Sequence, residues 1–193
     1  MTKKTAILLL SCVALIAGAC GGEDSNEVGS SEAATVTRVA WGAISQAQTQ
    51  IAQGIDSAGA SDANNAQADL VSGDGNGAWT ISGTIQNPNG SGELQLSGSA
   101  SRSGTTYTAT VTGTFVGWTS EGITLDGPLT LTFDLASLIP ADITSTLKGT
   151  LEVSGLLPIK VPVSVDLTAM VKGTQANVCG TVAGQPVAIG AGC

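Results

Sequence analysis

The chain has 193 residues, with seven Lys or Arg against 15 Asp or Glu and no histidine. The negative charge argues against nucleic-acid binding, and the lack of histidine removes the commonest general base and a common zinc ligand. Only 11% of the residues are charged, so most of the polar surface must come from hydroxyl and amide groups.

The first 19 residues have the three parts of an export signal. Lys3 and Lys4 form a short basic start, and an apolar run over residues 5–17 follows. This run has the length of a signal-peptide core and is too short to span a bilayer. Small residues, Gly18 and Ala19, directly precede Cys20. We expect residues 1–19 to be removed on export, which leaves five basic and 15 acidic residues and a formal net charge of −10.

The segment Leu15–Cys20 (LIAGAC) resembles the lipobox of bacterial lipoproteins, in which the cysteine is acylated and becomes the first mature residue. That pattern usually has Leu three positions before the cysteine, where this chain has Ala17. A competing match ends at Cys12, but it leaves too short an apolar core and would expose residues 13–17 at the mature start. A plain secretory signal is the other alternative, and the glycines and acidic linker after Cys20 argue against it.

The lipobox resemblance implies that Cys20 carries a diacylglycerol and an amide-linked fatty acid such as palmitate. Two or more acyl chains are enough for stable membrane anchoring. The expected location is therefore the cell envelope, with the outer membrane favoured over the inner one and the domain periplasmic or surface-exposed.

One domain, residues 35–193, is expected after a lipidated N-terminus and flexible acidic tether over residues 20–34. Its first element is an amphipathic helix from Thr35 to about Ala58, in which apolar residues recur at helical spacing. Ser31 or Thr35 can cap this helix, and Gly59 can end it. The apolar stripe contains three alanines and consists of Val36, Val39, Ala40, Ala43, Ile44, Ala47, Ile51 and Ile55.

Residues 59–77 are rich in Ala, Asn, Asp and Gly and carry weak signals. Asp62 can cap a short helical turn that reaches Leu70. The segment Asp74–Gly77 resembles the start of a calcium loop but lacks the third oxygen ligand and the distant bidentate glutamate. A turn is favoured, and we expect neither a metal nor a cofactor.

From Ala78 onward, apolar and polar residues alternate almost to the C-terminus, which predicts about eight strands joined by short turns. Such a chain forms an antiparallel meander with one buried and one wet face. Setting Phe115 opposite Leu125 also brings Tyr107 opposite Phe133, a favourable cross-strand pair. Trp118, near a hairpin end, is the aromatic residue expected to be exposed.

The predicted strands exceed the usual length, so we expect strong curvature into a half-barrel or a closed barrel. The fold class is mainly β with one N-terminal helix (α+β), the sheet being packed on the helix. Mid-strand glycines on the apolar face would permit curvature or close approach of the helix. These are Gly83, Gly98, Gly113, Gly127 and Gly149. An outer-membrane barrel is disfavoured, because aromatics are only 3% and a lipid anchor would be redundant.

Two cysteines, Cys179 and Cys193, remain after export and lipidation. In an oxidising compartment they predict a disulfide. The 15-residue loop that it closes is worth about 3 kcal/mol in the chain-entropy model. A metal or redox pair would need C-x-x-C spacing or histidine.

The layout resembles the helix-filled half-barrels of periplasmic lipoprotein carriers and related lipid-binding lipoproteins, a likeness of architecture that transfers no residue roles. It leaves two functions open. In the first, which the long apolar face favours, a lipid or other hydrophobic molecule binds on the concave face. In the second, the helix fills that face and the domain acts as a structural or protein-binding module of the envelope. No catalytic constellation is present, so no enzyme is expected; Asp126 and Asp134 are interpreted as solubilising. The candidate ligand-binding residues are Tyr107, Phe115, Leu131, Phe133 and Val165.

Overall fold

The computed structural model describes residues 28–59, 70–73, 76–104, 106–138, 141–156, 159–173 and 175–190. Several predicted features lie outside these residues. They are the signal peptide, the two lipidation candidates Cys12 and Cys20, Cys193, and the features at Asp62 and Asp74. The described elements are α1 (Ser30–Gly59), β1 (Val71–Gly73), β2 (Ala78–Gln86), β3 (Glu93–Ser103), β4 (Thr106–Ser120), β5 (Ile123–Leu138), β6 (Ala141–Ser154), β7 (Val161–Lys172), β8 (Gln175–Val182) and β9 (Gln185–Ile189).

The strands form one antiparallel sheet in the order β1 to β9, so each strand pairs with its neighbours in sequence. The predicted class, mainly β with one helix, is confirmed, and the sheet is open because β1 and β9 remain its two edges. The described residues form nine strands where about eight were predicted. The additional strand, β1, pairs Val71 with Ile81, and its three residues are too few to produce an alternation signal. Leu70, expected in a helical turn, is buried beside it.

The helix begins earlier than its periodicity predicts. The N–H of Ala33 donates to the carbonyl of Gly29 at 2.9 Å, so Ser31 and Thr35 lie inside α1 and do not cap it. Val28 and Ala33 are buried. The predicted tether is therefore too long at its C-terminal end, because the first turn of α1 is stabilised by burial of Ala33, which composition does not reveal.

The sheet curves around α1, which approaches both edge strands, β1 and β9, as well as β2, β5 and β8. Laid flat, nine strands would hold their edges about 38 Å apart, at roughly 4.8 Å per strand, whereas a helix with side chains is only about 10–12 Å wide. Both edges can meet one helix only if the sheet is bent into a half-barrel. The apolar side chains of sheet and helix then form one continuous core.

One end of the half-barrel, here called its N-terminal end, contains the start of α1 and the β2–β3, β4–β5 and β6–β7 connections. Arg38 of α1 pairs with Glu121 in the β4–β5 turn at 2.9 Å. Asn87, after β2, donates from Nδ2 to the carbonyl of Thr119 at 2.8 Å. Further along, Gln48 reaches β6, so α1 runs from this end towards the opposite one.

The predicted register of β4 against β5 is wrong by two residues. Phe115 lies opposite Gly127, and Trp118 lies opposite Leu125. The chain reverses through Glu121 and Gly122, whose φ angles of 50° and 80° suit a two-residue hairpin turn. Because side chains alternate with a period of two, a slip of two residues leaves every inward residue facing inward.

Trp118 is buried, at 4% exposure, and the prediction of an exposed indole is wrong. The ladder is irregular between Phe115 and Trp118, and Gly117 has φ of 58°, as in a β-bulge. The extra residue moves Trp118 from the outer to the inner face. Its ring then meets Phe115 edge-on, with centroids 6.1 Å apart.

The mid-strand glycines do not all have the same surroundings. The atoms nearest to a Cβ on Gly113 would belong to side chains, among them Ile44 Cδ1 of α1 at 3.6 Å, so this glycine allows the helix to approach closely. A Cβ on Gly98 would overlap the carbonyl oxygen of Thr110 on β4, so here the strands themselves are close. Gly149 is exposed, unlike Leu147 beside it.

Candidate functional site

The candidate ligand-binding residues lie on the concave face, and four of the five are in its core. Phe115, Leu131, Phe133 and Val165 are each at most 3% exposed. Tyr107 is only partly buried and lies near the other end of β4. There it packs on Trp79 with centroids 5.6 Å apart. The structure thus brings four candidates into one apolar core and leaves Tyr107 at its margin.

The helix occupies the concave face along its length. Its inward residues are fully buried, and they include Ala33, Val36, Ala40, Ile44, Ala47 and Ile51. A Cβ on Gly113 would lie 3.1 Å from Leu94 Cδ1 as well as 3.6 Å from Ile44 Cδ1. The space above Gly113 on the concave face is therefore filled by side chains.

A buried polar contact joins the helix to the sheet. Gln48 donates from Nε2 to Ser145 Oγ of β6 at 2.6 Å, and the two residues are 6% and 1% exposed. The sequence prediction missed this pair. Its signal was a polar residue at an inward position, since Ser145 lies between Ile143 and Leu147 in the alternation. The pair satisfies two buried polar groups and fixes where α1 lies along β6.

Asp126 is hydrogen-bonded to the bulge in β4 and does more than face solvent. Its Oδ1 accepts the N–H of Gly117 at 2.6 Å, and its Oδ2 accepts Lys160 Nζ at 3.1 Å. The Gly117 hydrogen bond, opposed by partial burial and aided by Lys160, lowers the pKa of Asp126 below its ordinary value. The interpretation of Asp126 as solubilising is incomplete, whereas Asp134 is exposed and accepts only a surface hydrogen bond, from Thr108, at 2.7 Å.

The β6–β7 connection exposes an apolar side chain at the N-terminal end. Ile159 is 58% exposed, while Leu156 and Val161 on either side are partly buried against the core. A Cβ on Gly155 would overlap the carbonyl oxygen of Gly122, so the connection packs on the neighbouring turn. At the other side of the connection, Lys160 forms a salt bridge with Asp126.

The predicted disulfide involves Cys179, which lies in β8 between Thr168 of β7 and Ala188 of β9. Cys193 is outside the described residues, so the pairing stays a prediction. Among the residues that the structure describes, no three acidic or cysteine side chains group as a metal site would require. Over the same residues, no helix has the apolar length for a membrane span.

The chain shows no significant match to a known protein family, to a curated protein or to a solved structure.

Proposed function

We propose that this protein is a lipid-anchored envelope protein whose helix-filled half-barrel acts through its outer surface as a structural or protein-binding module. The anchor would be Cys20, and a Cys179–Cys193 disulfide would close the C-terminal segment. The observation that carries the proposal is the position of Ile44, whose Cδ1 lies 3.6 Å from the place of a Gly113 Cβ. A ligand on the concave face would have to displace a helix whose inward side chains are fully buried.

Helix displacement would be costly, because each isoleucine that it buries stabilises the fold by about 1.5–3 kcal/mol. Ile44, Ile51 and Ile55 are all at most 2% exposed. Polar anchoring adds to this at Gln48. The helix is therefore better explained as a permanent part of the core than as a lid over a binding site.

Binding of a lipid or other hydrophobic molecule is the second candidate, and one observation favours it. Apolar side chains stay partly buried at the margin of the core, among them Trp41, Tyr107, Ile143 and Ile189. Tyr107 also has the Arg102 guanidinium carbon 5.5 Å from its ring centroid. A ligand at this margin would not require the helix to leave.

Substitution of Gly113 by leucine distinguishes the two functions, tested in the detergent-solubilised mature protein. A filled core predicts destabilisation of about 1–3 kcal/mol by overpacking, with no binding of a fluorescent fatty acid before or after the change. Gly42→Leu is the control, because a Cβ there meets nothing within 4 Å. Fatty-acid binding that Gly113→Leu abolishes without loss of stability would overturn the proposal in favour of a carrier.

A further inference from the structure

We propose that the N-terminal end of the half-barrel rests on the membrane surface and that Ile159 inserts there among zwitterionic lipids. This inference depends on the proposed lipidation of Cys20 and adds an orientation and a second membrane contact to it.

The first argument is the reach of the anchor. Val28, the first residue that the structure describes, lies eight residue steps after Cys20, and even a fully extended chain spans at most about 29 Å over eight steps. The 30 residues of α1 extend about 45 Å from this attachment point towards the opposite end. If the opposite end touched the bilayer, the tether could not reach its lipid. The domain must therefore stand on its N-terminal end or lie on its side.

The second argument decides between these two orientations. Among the described residues, the large apolar side chains that are exposed are Val116, Ile159 and Met170, at 42%, 58% and 45%. Met170 lies on the outer face between Thr144 and Asn177, so a domain on its side would press polar strands against lipid. Ile159 is the most exposed of the three and belongs to a connection at the N-terminal end.

Apolar surface continues from Ile159 into the domain. Leu156 and Val161 are partly buried against the core, so inserting Ile159 would extend existing apolar packing towards the acyl chains. Gly155 is packed on Gly122 and Lys160 is paired with Asp126 at 3.1 Å. The two sides of the connection are thus held in position, so little conformational entropy is lost when the connection contacts the membrane.

The third argument concerns the lipid class. At this end Arg38 is paired with Glu121 and Lys160 with Asp126, which leaves acidic side chains such as Glu152 in excess. Attraction to anionic headgroups requires clustered basic residues, and the described part of this end has none to spare. The matching surface is therefore zwitterionic, and the contact is apolar.

The test places a tryptophan at each exposed apolar position of the full lipidated protein. Ile159→Trp, Val116→Trp and Met170→Trp are reconstituted on phosphatidylcholine vesicles with brominated acyl chains, which quench nearby indoles, and compared with the unsubstituted protein. We expect Ile159→Trp to add emission that the brominated vesicles quench at least twofold. Emission added at position 170 should stay unquenched, and emission added at position 116 should be quenched less than that at position 159. Anionic lipid should not increase quenching at position 159.

The outcomes separate this inference from the proposed anchoring. If the unsubstituted protein does not float with vesicles, the anchoring is overturned and the docking with it. If the protein floats but Ile159→Trp is not quenched, only the docking is overturned. Equal quenching of Met170→Trp would show a domain lying on its side, and quenching that requires anionic lipid would contradict the zwitterionic contact.

Discussion

The Gln48–Ser145 contact offers the sharpest test of how the helix is held. Replacing Gln48 with leucine removes the 2.6 Å hydrogen bond and leaves a hydroxyl that is 1% exposed without this donor. An unsatisfied buried polar group costs about 1–3 kcal/mol, so we expect a loss of that size. Ser145→Ala should cost a similar amount, because the buried amide of Gln48 then loses its acceptor.

The double variant Gln48→Leu with Ser145→Ala removes both polar groups. Replacing both partners of a buried hydrogen bond with apolar groups of similar shape changes the free energy of unfolding little. We therefore expect the double variant to be more stable than the sum of the single losses, with a coupling energy of about 0.5–3 kcal/mol. Urea unfolding of the detergent-solubilised mature protein measures this, with an unchanged m-value as the sign that the folded state is the same. Gln46→Leu, on the same helix but less buried, should change stability by no more than about 0.5 kcal/mol. Additive losses in the double variant would refute the role of the pair.

Four further predictions follow from the core, the bulge and the cysteines. Ile51 is fully buried, so Ile51→Asp should lower the melting temperature severely. An unchanged melting temperature would show that the helix is not part of the core. Asp126→Asn should destabilise at pH 7. Because the pKa of Asp126 is lowered in the folded protein, its ionised carboxylate stabilises the fold above the ordinary pKa of 3.8, and this stabilisation is lost as the pH falls through the folded-state pKa. The difference in unfolding free energy between wild type and variant should therefore shrink over that acidic range. A thiol reagent should find no free thiol at Cys179 or Cys193 in the denatured, unreduced mature protein, and two reactive groups would contradict the disulfide. Cys20→Ser should abolish metabolic labelling with a fatty acid, and retained labelling would place the lipid elsewhere.

The faces of the strands were predictable because they depend on a period of two, which survives errors of register. Phe115 and Phe133 are buried as predicted although their strands are paired two residues away from the expected register. Register depends on the turn at Glu121 and on the bulge at Gly117, both of which are local backbone choices. The sequence did carry one sign of the bulge, since the apolar residues change from odd to even numbers between Phe115 and Trp118.

The limits of the helix and the content of the concave face were harder to predict. The composition of residues 30–34 does not distinguish a linker from a helix. Most helical stability comes from packing, so the burial of Ala33 is what makes this segment helical. Whether one helix fills the face depends on how closely it approaches, and Gly113 allows Ile44 to come within van der Waals distance. Periodicity identifies both residues as inward but gives no distance between them.

The concave face is expected to hold α1 and nothing else, and native mass spectrometry of the detergent-released full mature protein measures this directly. We expect one species, with the mass of residues 20–193 and a covalent lipid anchor, and no further mass lost on collisional activation. A second species heavier by one lipid, which dissociates on activation and is absent from Gly113→Leu, would contradict it.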